Sequence, residues 1–179
     1  IEAGRARDRE TGQWVQLGLP WGPKARLVLM HLNSEAIRTQ SPEIDVGDSL
    51  TAFVKRLGLS PDGRTVRGIK DQVGALSGAL IRMAFSGAEG DFQIDSKVVS
   101  GFNLWFPKDE RQRVLWPSYV RLSGDYFDSL RTHAVPLDER AIAALSHSAM
   151  SLDVYAWLAQ RLHRIRPGTR QLVTWVNLQ

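Results

Sequence analysis

The chain has no cysteine, which excludes disulfide staples and thiol nucleophiles and makes a reducing compartment, the cytoplasm by default, the natural expectation. It has no apolar run approaching the roughly 18 residues needed to cross a bilayer. Ile1 to Glu10 are polar and charged rather than a secretory leader. No membrane partner is therefore expected. The first residue is isoleucine, which suggests a processed or trimmed chain. Histidine is sparse and scattered: His31, His133, His147 and His163 fall in four separate segments, with no His-x-His or HExxH pair to make a ligand set. No metal site and no cofactor are expected. Internal repeats and low-complexity tracts are also lacking.

One phosphate-loop look-alike fails on inspection. Gly58-Leu59-Ser60-Pro61-Asp62-Gly63-Arg64-Thr65 departs from GxxxxGK[ST] only by arginine for lysine. Such a loop must follow a strand so that its amides converge on the phosphates. This one follows a helical pattern, and Pro61 removes an amide. It reads as a turn between two helices. Nucleophile chemistry fares no better. Tyr126 and Tyr155 sit at core-like helical spacing, and no metal set accompanies Tyr119 to organise attack on a phosphodiester. No catalytic residue is assigned and no enzymatic activity is expected; a nicking relaxase is the enzymatic alternative, which the histidine pattern disfavours.

What the chain does have is size, apolar content and patterned charge. With 179 residues, 43% of them apolar, it can bury one good core and part of a second. The net charge of +4 favours an anionic partner. From Ser151 to Gln179 the cations Arg161, Arg164, Arg166 and Arg170 face the single acid Asp153, a run that usually marks a solvated face or linker.

The patterning is densest between Asp48 and Leu76, where two amphipathic helices are predicted. In the first, Leu50, Phe53, Val54 and Leu57 recur at i, i+3, i+4 and i+7, with Asp48 or Ser49 placed to cap the start and Gly58 to end it. In the second, Val66, Ile69, Val73 and Leu76 share one side. At about 100° per residue the opposite side carries Arg64, Arg67, Gly68 and Asp71, with Lys70 on the flank. That arrangement presents a helix to DNA, and the residues assigned to DNA contact are Arg64, Thr65, Arg67, Lys70 and Asp71.

Around this pair, a strand at Trp14 to Leu17 leads into a helix that has Pro23 near its first position and runs to about Thr39; its centre, Leu27 to Met30, is apolar on more than one face. Glu43 to Val46 is extended. A β-hairpin is predicted from two runs, residues 79 to 86 and Phe92 to Phe106, turning at Gly87 to Asp91. A third run from Arg113 to Leu122 follows the polar turn Pro107 to Gln112. Trp105, Phe106 and Trp116 in these runs could stack on single-stranded bases, although strand aromatics more often fill a core. Ser123 is placed to cap a helix over Asp125 to Leu130. Further helices are predicted from Val135-Pro136-Leu137-Asp138 to about Ser146 and from Ser151 to Ile165, stopped by Pro167-Gly168; an extended segment from Gln171 ends the chain.

Helix, helix and hairpin in that order make the predicted fold α+β: a winged helix, that is a helix-turn-helix plus a β-hairpin or three-stranded sheet, with additional C-terminal helices. The presumed wing tip, Gly87 to Asp91, carries Glu89 and Asp91 and no base, which argues against a phosphate contact there.

The chain resembles the RepA-type replication initiators of bacterial plasmids from about Gly18 onward. The resemblance lies in GLPWGPKARLVLMHLNSEAIRTQ (18 to 40), in Ser49-Leu50-Thr51-Ala52-Phe53 and the helix end Leu57-Gly58-Leu59, in WPSYVRLSGDYFDSL (116 to 130), in VPLDERAIAAL (135 to 145) and in SLDVYAWLAQRL (151 to 162). It implies binding to repeated sites in double-stranded plasmid origin DNA, origin opening, and recruitment of a host replication helicase or initiator protein, with a homodimer in at least one state. It implies two winged-helix domains, the first serving mainly dimerisation. On that comparison residues 1–148 are the first domain, and 149–179 are a linker helix and the start of a second whose remainder is missing. The alternatives are a winged-helix transcriptional regulator, or a pure dimerisation and interaction module without DNA contact.

Overall fold

The computed structural model describes residues 1–7, 11–47, 49–87, 90–103 and 118–174. They fall into two compact units, Ile1–Ala134 and Val135–Gln179. The elements of the first are β1 (Arg5–Arg7), β2 (Trp14–Gln16), α1 (Gly22–Thr39), β3 (Glu43–Gly47), α2 (Leu50–Arg56), α3 (Gly63–Gly78), β4 (Leu80–Gly87), β5 (Gly90–Lys97), β6 (Val99–Asn103), β7 (Ser118–Leu122) and α4 (Gly124–His133). The second holds α5 (Glu139–Leu145) and α6 (Ala149–Arg164).

Helix ends follow local chemistry. Pro23 occupies the first turn of α1, where its missing N–H costs nothing. Ser49 caps α2 by accepting from Ala52 N–H at 3.1 Å. Asp48, the other candidate cap, lies outside the described residues. Gly58, with φ +72°, takes the left-handed position just past α2. Asp62 caps α3, Ser123 caps α4, Asp138 caps α5 and Ser148 caps α6. The last helix therefore starts at Ala149, just before the predicted Ser151.

The core of the first unit gathers one face from each helix. Val28, Leu32 and Ala36 of α1 meet Phe53 and Val54 of α2, and Ile69, Val73 and Leu76 of α3. Beneath them lie Ile44 and Val46 of β3, Val99 of β6, and Val120 and Leu122 of β7. The four residues predicted to form the inner side of α2 and of α3 all pack here, with Leu50, Leu57 and Val66 at its margin.

The mixed, α+β character is as predicted, but the strands pair differently. The three-stranded antiparallel sheet has the order β3-β7-β6, and β4 pairs only with β5. The run predicted from Phe92 to Phe106 is thus two strands in two sheets. The break has a cause: Ser123 N–H donates to Val98 carbonyl at 2.9 Å and its hydroxyl donates to Lys97 carbonyl. Those acceptors are thereby withdrawn from any continued ladder, and Val98 and Val99 are both buried in succession. Residues 88–89 of the predicted wing tip, and the connection from 104 to 117 with Trp105, Phe106 and Trp116, lie outside the described residues.

A further difference stands at the N-terminus. Residues 5–7, polar and charged in the sequence and predicted in no strand, form β1 against β2, and Glu2 bridges Leu80. Gly4 makes this possible: a Cβ there would stand 1.8 Å from Gly78 carbonyl oxygen. At the other end, Gln171 to Thr174 belong to no strand; residues 175–179 lie outside the described set. No helix among the described residues is long and apolar enough to cross a membrane.

Candidate nucleic-acid interface

α3 begins at a well-made cap. Asp62 Oδ1 accepts from Thr65 N–H at 2.8 Å, and Thr65 hydroxyl donates to Asp62 Oδ2 at 2.9 Å. Hydrogen bonding from Thr65 backbone and then side chain holds the Asp62 carboxyl below the usual aspartate range. The helix then alternates between core and solvent as its period dictates. Arg64, Arg67, Lys70 and Asp71 are exposed, while Ile69, Gln72, Val73, Ala75 and Leu76 are buried.

Three of the five predicted DNA-binding residues thus project cations from the first half of one helix. Thr65 is different: it is half-buried, and its hydroxyl already serves the cap. Asp71 is exposed on the same side. Its spacing allows it to compete for Arg67 one turn earlier, but no ion pair joins the two among the described residues.

Gly68 does not belong to the open face where periodicity puts it. Lys24 of α1 lies across it, so close that a Cβ at Gly68 would stand 2.5 Å from Lys24 Nζ. The same Nζ stands 3.5 Å from Arg64 carbonyl. Lys24 thereby adds a fourth cation beside Arg64 and Arg67, contributed by a different helix. Sequence reasoning missed it; the only local signal is a lysine in the first turn of α1, which has no acid there.

The two helices are tied at depth as well. Gln72, the one buried polar residue among the described side chains, accepts from Trp21 N–H at 2.8 Å through Oε1. That bond satisfies an otherwise orphaned donor at the start of α1 and fixes where Lys24 comes over α3.

The other residues singled out by sequence are occupied or scattered. Tyr126 hydroxyl hydrogen-bonds Asn33 Oδ1 at 3.1 Å, and burial pushes its pKa up. Tyr155 hydroxyl accepts from Asp138 N–H at 2.8 Å. His31 packs edge-on against Phe53, with ring centroids 5.4 Å apart, and His133 Nδ1 lies 3.1 Å from Ser129 carbonyl. No group of three or more potential metal ligands occurs among the described residues.

Set beside known proteins, residues 19–177 match the family model described as plasmid-encoded RepA protein. Comparison with curated proteins and with solved structures gave no match.

Proposed function

The chain belongs to the plasmid-encoded RepA protein family and is a plasmid replication protein, and we propose that it acts as the initiator, binding origin repeats in double-stranded DNA, nucleating their opening and recruiting a host helicase or initiator protein. The observation that carries the reading is the exposed triad Arg64, Arg67 and Lys70 on the first half of α3, with Lys24 beside it. Helix N-terminal halves are the part of a helix-turn-helix that reaches DNA, and cations there recruit phosphates.

In this proposal the first unit is a winged helix serving mainly dimerisation, and the protein works as a cytoplasmic homodimer, by binding rather than catalysis. The chain order α1-β3-α2-α3, then β6 and β7, with sheet order β3-β7-β6, supports the winged-helix part of this reading. It also takes the acidic turn at Gly87 to Asp91 out of the wing's place, because β4 and β5 lie outside this sheet. The β4–β5 hairpin becomes an insertion.

The test compares binding of the chain to origin-repeat duplex and to random duplex at fixed salt. Tighter binding to the repeats, with a Hill coefficient or sedimentation behaviour marking a dimer, is the expected result. Equal affinity for both duplexes would reduce the chain to a sequence-blind DNA binder, and no binding to either would leave an interaction module.

A further inference from the structure

The second unit gathers its arginines at the end of α6. The helix closes with Ile165 N–H donating to Leu162 carbonyl at 3.3 Å. The next four residues, Arg166-Pro167-Gly168-Thr169, form a tight turn in which Thr169 N–H and hydroxyl both donate to Arg166 carbonyl, at 3.1 and 2.6 Å. Proline presets the second position, and Gly168, with φ +82°, supplies the left-handed third. The chain is thereby folded back, and Arg170 joins Arg161, Arg164 and Arg166 around a cavity of about 460 Å³. No carboxylate is among the described residues lining it.

Two details separate this cluster from a solvated charge run. Arg161 guanidinium lies 5.2 Å from the centre of the Trp157 ring, and its Nε is buried with no hydrogen-bond partner among the described residues. Arg161 as a whole is only half-buried, and its place over the ring holds the guanidinium beside the cavity. Moreover, the dipole of α6 favours Arg161 and Arg164 in its last turn, but it does nothing for Arg166 and Arg170 beyond the helix, which the turn brings back to the same cavity.

We propose that this pocket is a phosphate site that takes backbone phosphates of duplex DNA. Guanidinium forks match phosphate oxygens two at a time, and four of them exceed what one phosphate needs. A free nucleotide shares the chemistry but would leave its base unhoused, because no aromatic residue is among the described residues lining the cavity. The site is separate from α3 and rests on the DNA-binding reading only for the source of the phosphate.

The test measures the salt dependence of binding to random duplex for the whole chain, for the triple variant Arg164→Gln, Arg166→Gln, Arg170→Gln, and for the pair Arg64→Gln, Arg67→Gln. Pyrophosphate is titrated calorimetrically in parallel, and circular dichroism checks that helix content is kept. The triple variant is expected to lower the log–log slope by about 0.9 for each phosphate it no longer neutralises. Lysine at the same three positions should restore most of the slope and less of the affinity, since charge returns without the fork. A triple variant with the parental slope overturns the proposal; if the α3 pair has a reduced slope in the same assay, the α3 reading survives alone. A slope lowered by the triple variant but not by the pair supports the pocket and sinks the α3 reading. Saturation by pyrophosphate, abolished in the triple variant while duplex binding is untouched, overturns duplex DNA as the source.

Discussion

α3 and α6 are both sixteen residues long, yet one is built into a core and the other stands nearly clear of one. α3 buries Ile69, Gln72, Val73, Ala75 and Leu76, whereas α6 buries Leu152 alone and leaves Met150, Val154, Leu158 and Leu162 exposed. Their cations are also at opposite ends. Arg64 and Arg67 sit near the N-terminus of α3, where the helix dipole disfavours positive charge; Arg161 and Arg164 sit in the last turn of α6, where it is favoured. A cation at the favourable end can be explained by the helix itself. A cation at the unfavourable end asks for an outside partner, and that makes the α3 face the stronger indication of a ligand, residue for residue.

The largest effect that can break this contrast is in packing. Ile69→Ala should destabilise the first unit by about 2–5 kcal/mol, as truncation of a fully buried side chain does, while Val154→Ala on exposed α6 should stay within about 0.5 kcal/mol. Urea unfolding followed by circular dichroism reads both. Equal costs would mean that α6 is as well buried as α3, and the contrast would be gone.

Charge comes next. Arg67→Ala should leave stability unchanged and weaken binding to all duplexes alike, with the log–log salt slope reduced by roughly 0.9. A loss of about 1–3 kcal/mol confined to one base position would instead make Arg67 a base reader. If the variant binds like the parent at every salt concentration with its oligomeric state unchanged, the face is not a DNA surface, and the argument from the helix dipole fails with it.

The smallest effect sharpens the contrast through the caps. Asp62 has its folded pKa lowered by the hydrogen bonds from Thr65, so its stabilisation of α3 is complete above the unfolded value of about 3.9 and is lost as pH falls through the folded one. α6 is capped by Ser148, whose hydroxyl has no such titration. Acid should therefore loosen the start of α3 before that of α6. Asp62→Asn keeps an acceptor at the cap and should flatten the acid limb of the pH profile of amide exchange at Thr65. An unchanged limb in the variant would remove Asp62 as its cause.

The helices could be read from sequence because each carries its own period and its own cap: the inner residues of α2 and α3 and the caps at Ser49 and Ser123 are all local information. The sheet could not, because its pairings are not. Nothing near Val99 shows that β6 will leave the β4–β5 ladder for β7; the decision rests with Ser123, which takes the Lys97 and Val98 carbonyls from far along the chain. The candidate site divides in the same way. Arg64, Arg67, Lys70 and Asp71 are exposed as helical spacing requires. The obstruction of Gly68 and the arrival of Lys24 depend on how α1 crosses α3, through the Trp21–Gln72 bond, and Thr65 is drawn into the cap by a hydroxyl that periodicity does not weigh.

Glu43 pairs with Arg121, so β3 leaves synthesis with no neighbour and must wait for α2, α3 and a whole hairpin before its partner exists. At chain growth of about 5–20 residues per second that wait is on the order of ten seconds, long against the microseconds in which helices form. Throughout it, β3 offers an unpatched edge that the β7 strand of another nascent copy can occupy as well as its own.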